Sequence, residues 1–219
     1  MKKARATGLP RGVEVILAIT GLVVTAPLWL LAAILIKLDS RGPILFRQAR
    51  MGRNGKLFTL LKFRSMYVAT DGALVTAAGD NRISKIGRVL RRTKIDELPE
   101  LWNIVRGEMS IVGPRPEVPE LVDLNNPLWE EILEVNPGLT DPVTLQLRNE
   151  EELLAHANNR EDFYKNILQP YKLRGYAHFV KNRTWKKDIN IICRTMKAIV
   201  FPGTVTQPTV EEMRWSLAE

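Results

Sequence analysis

Among 219 residues there is a single cysteine, Cys193, and only two histidines, His156 and His178. A lone cysteine excludes an intramolecular disulfide framework and any zinc site built from cysteines, and it suits a reducing compartment. The histidines stand apart on predicted helices and read as surface or packing residues, so a bound metal would fall chiefly to oxygen ligands. Cys193 is expected as a small buried side chain on an amphipathic helix. Several nucleotide and hydrolase signatures are missing too: there is no Walker loop, no G-x-G-x-x-G, no H-E-x-x-H and no G-x-S-x-G. The segment GRNGK at 52–56 has the composition of a phosphate loop but the wrong spacing, and a hairpin turn explains it better. Nothing repeats, and no low-complexity linker divides residues 41–219.

Charge is absent from one long stretch. Val15 to Ile36 runs for 22 residues without an ionisable side chain, between Glu14 and Lys37. A mean hydropathy of -0.11 hides it by averaging it with a polar remainder. About 20 apolar residues suffice to cross a bilayer, and a signal-peptide core is shorter, so the segment is read as a retained membrane helix. Two features argue against a plain span. Pro27 near its middle removes a helical hydrogen bond and favours a kink. Basic residues flank both ends, Lys2, Lys3, Arg5 and Arg11 before it and Lys37, Arg41, Arg47 and Arg50 after it, and the positive-inside rule draws both toward the cytoplasm. A helix bent at Pro27, entering and leaving by one leaflet, satisfies both flanks; a proline-containing span stands as the alternative.

The net charge of +8 is unevenly spread. Residues 1–112 carry 19 Lys/Arg against 8 Asp/Glu, whereas residues 113–219 carry 13 against 16. The basic half calls for polyanionic partners: nucleic acid, anionic lipid or phosphate-bearing substrates. Beyond the membrane segment, Ile44–Arg50 and Lys56–Arg64 read as strands joined through Asn54-Gly55, a hairpin signal. Residues 70–82 are loop-like. Helices are expected from Ser84 to Thr93, Leu98 to Val105, Pro119 to Leu124, Leu128 to Val135, and over 149–157, 160–168 and 184–200. On the last, Trp185, Ile189, Ile192, Met196 and Ile199 form an apolar stripe. The expectation is a mainly helical α+β protein with a small antiparallel hairpin, residues 1–40 forming the membrane anchor and 41–219 one compact domain.

The richest stretch for chemistry is 88–116, RVLRRTKIDELPELWNIVRGEMSIVGPRP. Asp96 and Glu97 follow a basic helix bearing Lys85, Arg88, Arg91, Arg92 and Lys94, and they open another helix, whose N-terminus favours carboxylates and phosphates. Acidic residues in a first turn are also common for stability alone, and a basic helix can simply face solvent or lipid. Arg115 lies between Pro114 and Pro116, so its guanidinium is offered from a stiff loop suited to bidentate phosphate contact.

KFRSM at 62–66, R-x-x-K-I-D-E-L-P-E-L-W-N from Arg91 to Asn103, G-E-M-S-I-V-G-P-R-P from Gly107 to Pro116, and P-G-L-T from Pro137 to Thr140 together resemble the bacterial sugar transferases, the monotopic phosphoglycosyl transferases that begin glycoconjugate assembly. The resemblance covers nearly the whole chain. It implies a re-entrant helix broken at Pro27 and a catalytic domain on the cytoplasmic face of the bacterial inner membrane. It implies transfer of a sugar-1-phosphate from a UDP-sugar to polyprenol phosphate with release of UMP. By the same resemblance, Asp96 is the nucleophile, Mg2+ is the cofactor held by Asp96 and Glu97, and Arg91, Arg115, Lys62, Arg64 and Arg148 contact substrate phosphates. The role of Glu97 is open between ligating magnesium and assisting the acceptor phosphate, and that of Arg148 between contacting the nucleotide or sugar and an internal pair with Glu151 or Glu152. Two positions depart from the family pattern: Ala26 stands where relatives often have Ser, and Asp141 where many have Gly, so a different local loop is expected there. The implied partners are the UDP-sugar, polyprenol phosphate and a phospholipid membrane, with no nucleic acid and a homodimer left open. The competing readings are a membrane-tethered nucleic-acid-binding protein and a non-catalytic scaffold; both leave the DELP and GPRP motifs without a task.

Overall fold

The computed structural model describes residues 7–68 and 77–218; most of the expected loop at 70–82 lies outside the described residues, as do Lys2, Lys3 and Arg5. Helix α1 (Arg11–Asp39) runs for 29 residues, with Pro27 in its interior. One turn before the proline, Thr25 Oγ1 donates to Gly21 O at 2.7 Å, a back-bond that tends to bend helices. The hairpin pairs β1 (Leu45–Met51) with β2 (Leu57–Phe63), antiparallel from Leu45↔Phe63 to Met51↔Leu57. Its turn needs two left-handed residues, and Asn54 (φ 56°) and Gly55 (φ 71°) supply them.

Helix α2 (Lys85–Thr93) starts as expected, Ser84 Oγ accepting from Gly87 N. Then come α3 (Glu100–Arg106), β3 (Ser110–Val112), α4 (Pro127–Ile132) and β4 (Gly138–Thr140), the last pairing in parallel with β3. The C-terminal part is helical: α5 (Pro142–Gln146), α6 (Glu150–Ala155), α7 (Arg160–Phe163), α8 (Gln169–Lys181), α9 (Trp185–Val200) and α10 (Val210–Ala218). The result is the mainly helical α+β architecture read from the sequence.

Some boundaries moved. The helix expected over 119–124 is one 3-10 turn, Pro119–Leu121, because Val122 is already extended. The helix expected to stop at 168 runs through a π-helical turn, Tyr164–Leu168, into α8; Pro170 directly follows that turn, where the i→i−4 ladder is already interrupted. Cys193 is exposed rather than buried. The reason is that α9 turns Asp188, Ile191 and Ala198 inward and leaves most of its apolar stripe, Trp185, Ile189, Met196 and Ile199, outward.

One core joins α4, α5, α8 and α10 through Trp129, Val143, Leu173, Tyr176 and Met213. Two smaller cores fix α1 to the body. Near its start Ala18 packs with Leu60, Ile104 and Met109; near its end Ala32 and Ile36 pack with Phe63 and Leu90. Polar contacts mark the same two ends. Glu14, buried, accepts from Ile111 N at 3.1 Å, and Arg11 donates to Met109 O at 2.9 Å. At the other end Arg64 donates to Ser40 O (2.7 Å) and Arg41 O (2.8 Å). The opposite face of α1 stays bare, with Ile16, Val23, Val24, Leu30 and Leu38 at 66–79% exposure.

Candidate active site

Asp96 sits in a single 3-10 turn, Ile95–Glu97, between α2 and α3. The turn exists because Lys94 adopts a left-handed conformation (φ 60°), which ends α2 and reverses the chain. For a non-glycine residue that conformation is strained, a feature that collects at functional sites. Asp96 is 5% exposed, and its Oδ1 is buried with no hydrogen-bond donor among the described residues. Burial, then the neighbouring Glu97, pushes its carboxyl above the usual aspartate range, while Lys62, Lys94 and Arg91 pull the other way.

Glu97 is treated differently by its surroundings. Its Oε1 accepts from Arg115 Nη2 at 2.6 Å and from Lys62 Nζ at 3.1 Å. Burial alone would raise its carboxyl, but Arg115, Lys62 and Lys94 outweigh that and hold it well below the glutamate range. Glu97 in turn raises the Arg115 guanidinium. Lys62 also lies 3.2 Å from Glu100 Oε1, in a contact that lacks hydrogen-bond geometry. Glu100, deeply buried, is pushed up by desolvation. The site therefore holds one firmly ionised carboxylate, Glu97, beside a buried one, Asp96, whose charge is poorly compensated.

Arg115 is delivered by a contact between two of the sequence motifs. A Cβ on Gly113 would meet Asn136 O at 2.6 Å, and one on Gly138 would meet Gly113 N at 2.1 Å. Only a glycine pair allows β3 and β4 to approach so closely, with Gly113 N donating to Thr140 O and Gly138 N to Pro114 O, both at 2.9 Å. Asp141 then caps α5, its Oδ1 accepting from Val143 N (2.7 Å) and Thr144 N (3.0 Å). Its backbone is extended, so the position departing from the family pattern starts a helix.

Of the other expected phosphate contacts, Arg91 lies close enough to act on Asp96 and is held by Glu151 and, at 3.4 Å, by Ser65 Oγ. Arg64 and Arg148 are not brought to the carboxylates. Arg64 is buried, its guanidinium capping the carbonyls that end α1. Arg148 donates to Ala198 O at the end of α9, pairing with neither Glu151 nor Glu152.

Four supporting residues escaped the sequence reading. Glu100 follows Asp96 by four positions, one helical turn, and that spacing is the signal that points to it. Asn103 locks α3 to β2, donating to Thr59 O (2.7 Å) and accepting from Leu61 N (3.0 Å). Arg50 donates to Pro116 O at 3.2 Å, and buried Lys172 sits 3.3 Å from Glu117, next to the Arg115 loop. The last two are joined to the site only by tertiary folding and leave no local signal.

A carboxylate pair ringed by cations, with one member left short of donors, has the charge arrangement that phosphoryl-group chemistry requires. The chain belongs to the bacterial sugar transferase family, which it matches over residues 5–202. It is similar to the undecaprenyl-phosphate glucose phosphotransferase of Komagataeibacter xylinus, 46% identical over 211 residues that are 92% of this chain and 36% of that protein. It is similar to the UDP-N-acetylgalactosamine-undecaprenyl-phosphate N-acetylgalactosaminephosphotransferase of Aeromonas hydrophila, 41% identical over 88% of this chain and 44% of the relative. It is also similar to the exopolysaccharide production protein ExoY of Sinorhizobium fredii, 32% identical over 86% of this chain and 84% of the relative. The chain thus spans less than half the length of the first two and most of the third.

Proposed function

We propose that the protein transfers a sugar-1-phosphate from a UDP-sugar to polyprenol phosphate, with undecaprenyl phosphate as the acceptor, through a covalent aspartyl phosphosugar on Asp96. The observation that carries this reading is the unpaired, buried Oδ1 of Asp96 beside the cation-clamped Glu97. A carboxylate short of donors is a poor structural element and a good nucleophile.

In the first step an Asp96 oxygen attacks the sugar-bearing phosphorus; the bond from that phosphorus to the UMP oxygen breaks, and UMP leaves with the electron pair. In the second, an oxygen of the acceptor phosphate attacks the same phosphorus and Asp96 departs as a carboxylate. Anion approaches anion in both steps, so cations must offset the repulsion. Arg115 and Lys62, already fixed on Glu97, are positioned to spread toward incoming phosphate oxygens, and Arg91 approaches from α2. Asp96 and Glu97 are hard oxygen donors of the kind Mg2+ prefers, and Asp96 Oδ1 has coordination to spare. Among the described residues no cluster of three or more side chains is arranged to hold a metal, so Mg2+ would be held by these two carboxylates together with substrate phosphates. When bound, the ion would supply positive charge against the pyrophosphate.

Monotopic attachment at the cytoplasmic face is part of this reading, and α1 supports it. Its two ends are pinned to one body while its bare face is apolar. The relatives' names include both glucose and N-acetylgalactosamine, and the sugar is left as any of the UDP-sugar class.

Incubation of the lipid-embedded protein with a panel of UDP-sugars, followed by peptide mass spectrometry, tests the proposal. The expected result is a sugar-phosphate mass on the peptide containing Asp96, with UMP released, and neither in Asp96→Asn. Absence of an adduct and of UMP across the panel, with folded protein, would overturn it.

A further inference from the structure

A groove of about 720 Å³ opens between α1, the hairpin and α3, away from the carboxylates. Helical spacing builds two of its walls. Leu22, Ala26 and Trp29, at i, i+4 and i+7, share one face of α1, and Trp102 and Arg106, at i and i+4, share one face of α3. The third wall is one side of the hairpin, where Arg47 and Leu61 are directly paired. The interior is mostly hydrocarbon, with guanidinium groups contributed by Arg47 and Arg106. Arg106 lies 3.1 Å from Glu108; Arg47 is exposed and makes no ion pair within 4 Å among the described residues. Trp29 packs edge-on against Phe63 at 5.0 Å, and its buried indole N–H finds no acceptor among the described residues.

We infer that this groove binds one anionic phospholipid, with an acyl chain along Leu22, Ala26 and Trp29 and its phosphate between Arg47 and Arg106. An apolar trough with cations at its edge is complementary to an anionic amphiphile. The inference requires only that α1 lie in lipid, and it stands apart from the transfer chemistry.

Strand and helix geometry argue against the reacting polyprenol phosphate as occupant. Neighbouring residues of β2 point to opposite sides, so Leu61 lines the groove while Lys62 reaches Glu97 and Glu100. On α3 the same division separates Trp102 from Glu100, which are 200° apart around the helix at about 100° per residue. A phosphate seated on Arg47 and Arg106 is therefore screened from Asp96 by the hairpin and α3.

Native mass spectrometry of the full chain, released from detergent after titration with single lipids, tests this. Phosphatidylglycerol should be retained at one per chain, and phosphatidylcholine at least tenfold more weakly. Arg47→Gln and Arg106→Gln should each weaken phosphatidylglycerol retention about fivefold. Ala26→Trp, which fills the groove and leaves both arginines, should abolish it. Equal retention of the two lipids, indifference to the arginine substitutions, or indifference to Ala26→Trp would overturn the inference. Displacement of phosphatidylglycerol by equimolar polyprenol phosphate would assign the groove to the acceptor and overturn it as well. In the unsubstituted protein, phosphatidylglycerol brominated on its acyl chains should quench tryptophan emission more than brominated phosphatidylcholine; equal quenching counts against a selective site.

Discussion

Asp96 and Glu97 are adjacent carboxylates with opposite electrostatic fates, and the difference lies in which cations reach each of them. Glu97 has Arg115 and Lys62 within hydrogen-bonding distance; Asp96 has cations nearby but an unsatisfied buried oxygen. An acid whose carboxyl is raised on folding holds its proton more tightly in the folded chain than in the unfolded one. Its contribution to stability therefore falls as pH climbs from the ordinary aspartate range through the raised value, and stays low above it. Asp96→Asn removes that penalty, so it should abolish adduct formation while stabilising the fold by about 1 kcal/mol at neutral pH, or ~2–4 °C in Tm. Thermal melts at pH 7 and pH 4 check this, the gain being largest at pH 7; a less stable variant at pH 7 would contradict it. Catalysis should lose rate on the acid side at a pH above that of an ordinary aspartate. For Arg115, replacement by Lys keeps a charge but loses the planar fork, and should lower the rate about 10²–10³-fold with a modest change in stability. Replacement by Ala leaves Glu97 with Lys62 as its one close cation among the described residues and should cost about 1–3 kcal/mol, measured by denaturant unfolding. The Asp96–Glu97–Arg115 constellation was legible because it lies in two short motifs. The neutral tendency of Glu100 and the removal of Arg64 to the end of α1 were not, since both depend on burial.

At the scale of elements, the local signals that proved readable were strong ones: the Asn54-Gly55 turn, the Ser84 cap and the uncharged run that became α1. Strands β3 and β4 have three residues each, too short for alternation to register, and α8 was hidden by Pro170, which the π-helical turn before it accommodates. Those two omissions conceal the device that aims Arg115. Because a Cβ at Gly138 would fall 2.1 Å from Gly113 N and 2.4 Å from Gly113 O, backbone atoms with no freedom to yield, Gly138→Ala should part β3 from β4. The expected loss is more than about 3 kcal/mol, with amide exchange accelerated first at Gly113 and Ser110. Alanine at Gly12, which has open space around it, is the matched control and should leave exchange at β3 unchanged. A Gly138→Ala protein as stable as its parent would show that the two motifs are not joined through this contact.

For the molecule as a whole, the decisive relation is between α1 and everything else. A helix of 29 residues is about 43 Å long, enough to cross a bilayer, and from the sequence alone a span and a re-entrant bend were both open. Packing weighs on the side of the bend. The start of α1 is bound through Arg11, Glu14 and Ala18, and its end through Ala32, Ile36 and the Arg64 clamp on Ser40 and Arg41. A straight span would carry one of these polar attachments to the far side of the membrane, away from the body it is bonded to, leaving buried Glu14 or Arg64 without partners at a cost of several kcal/mol. With both ends on one body, the bare face that runs from Ile16 through Val23 and Val24 to Leu38 is the part left to enter lipid. On the proposed function, such an arrangement would set Arg11, Lys37 and Arg41 on the side of anionic headgroups. In a Cys193→Ser background, Gly12→Cys and Arg41→Cys should therefore both react with an impermeant maleimide added from the cytoplasmic side, while Val24→Cys stays protected until detergent is added. Labelling of the Gly12→Cys protein only from the opposite side would mean that α1 spans, and that its attachments to β3 and α3 are broken in the membrane.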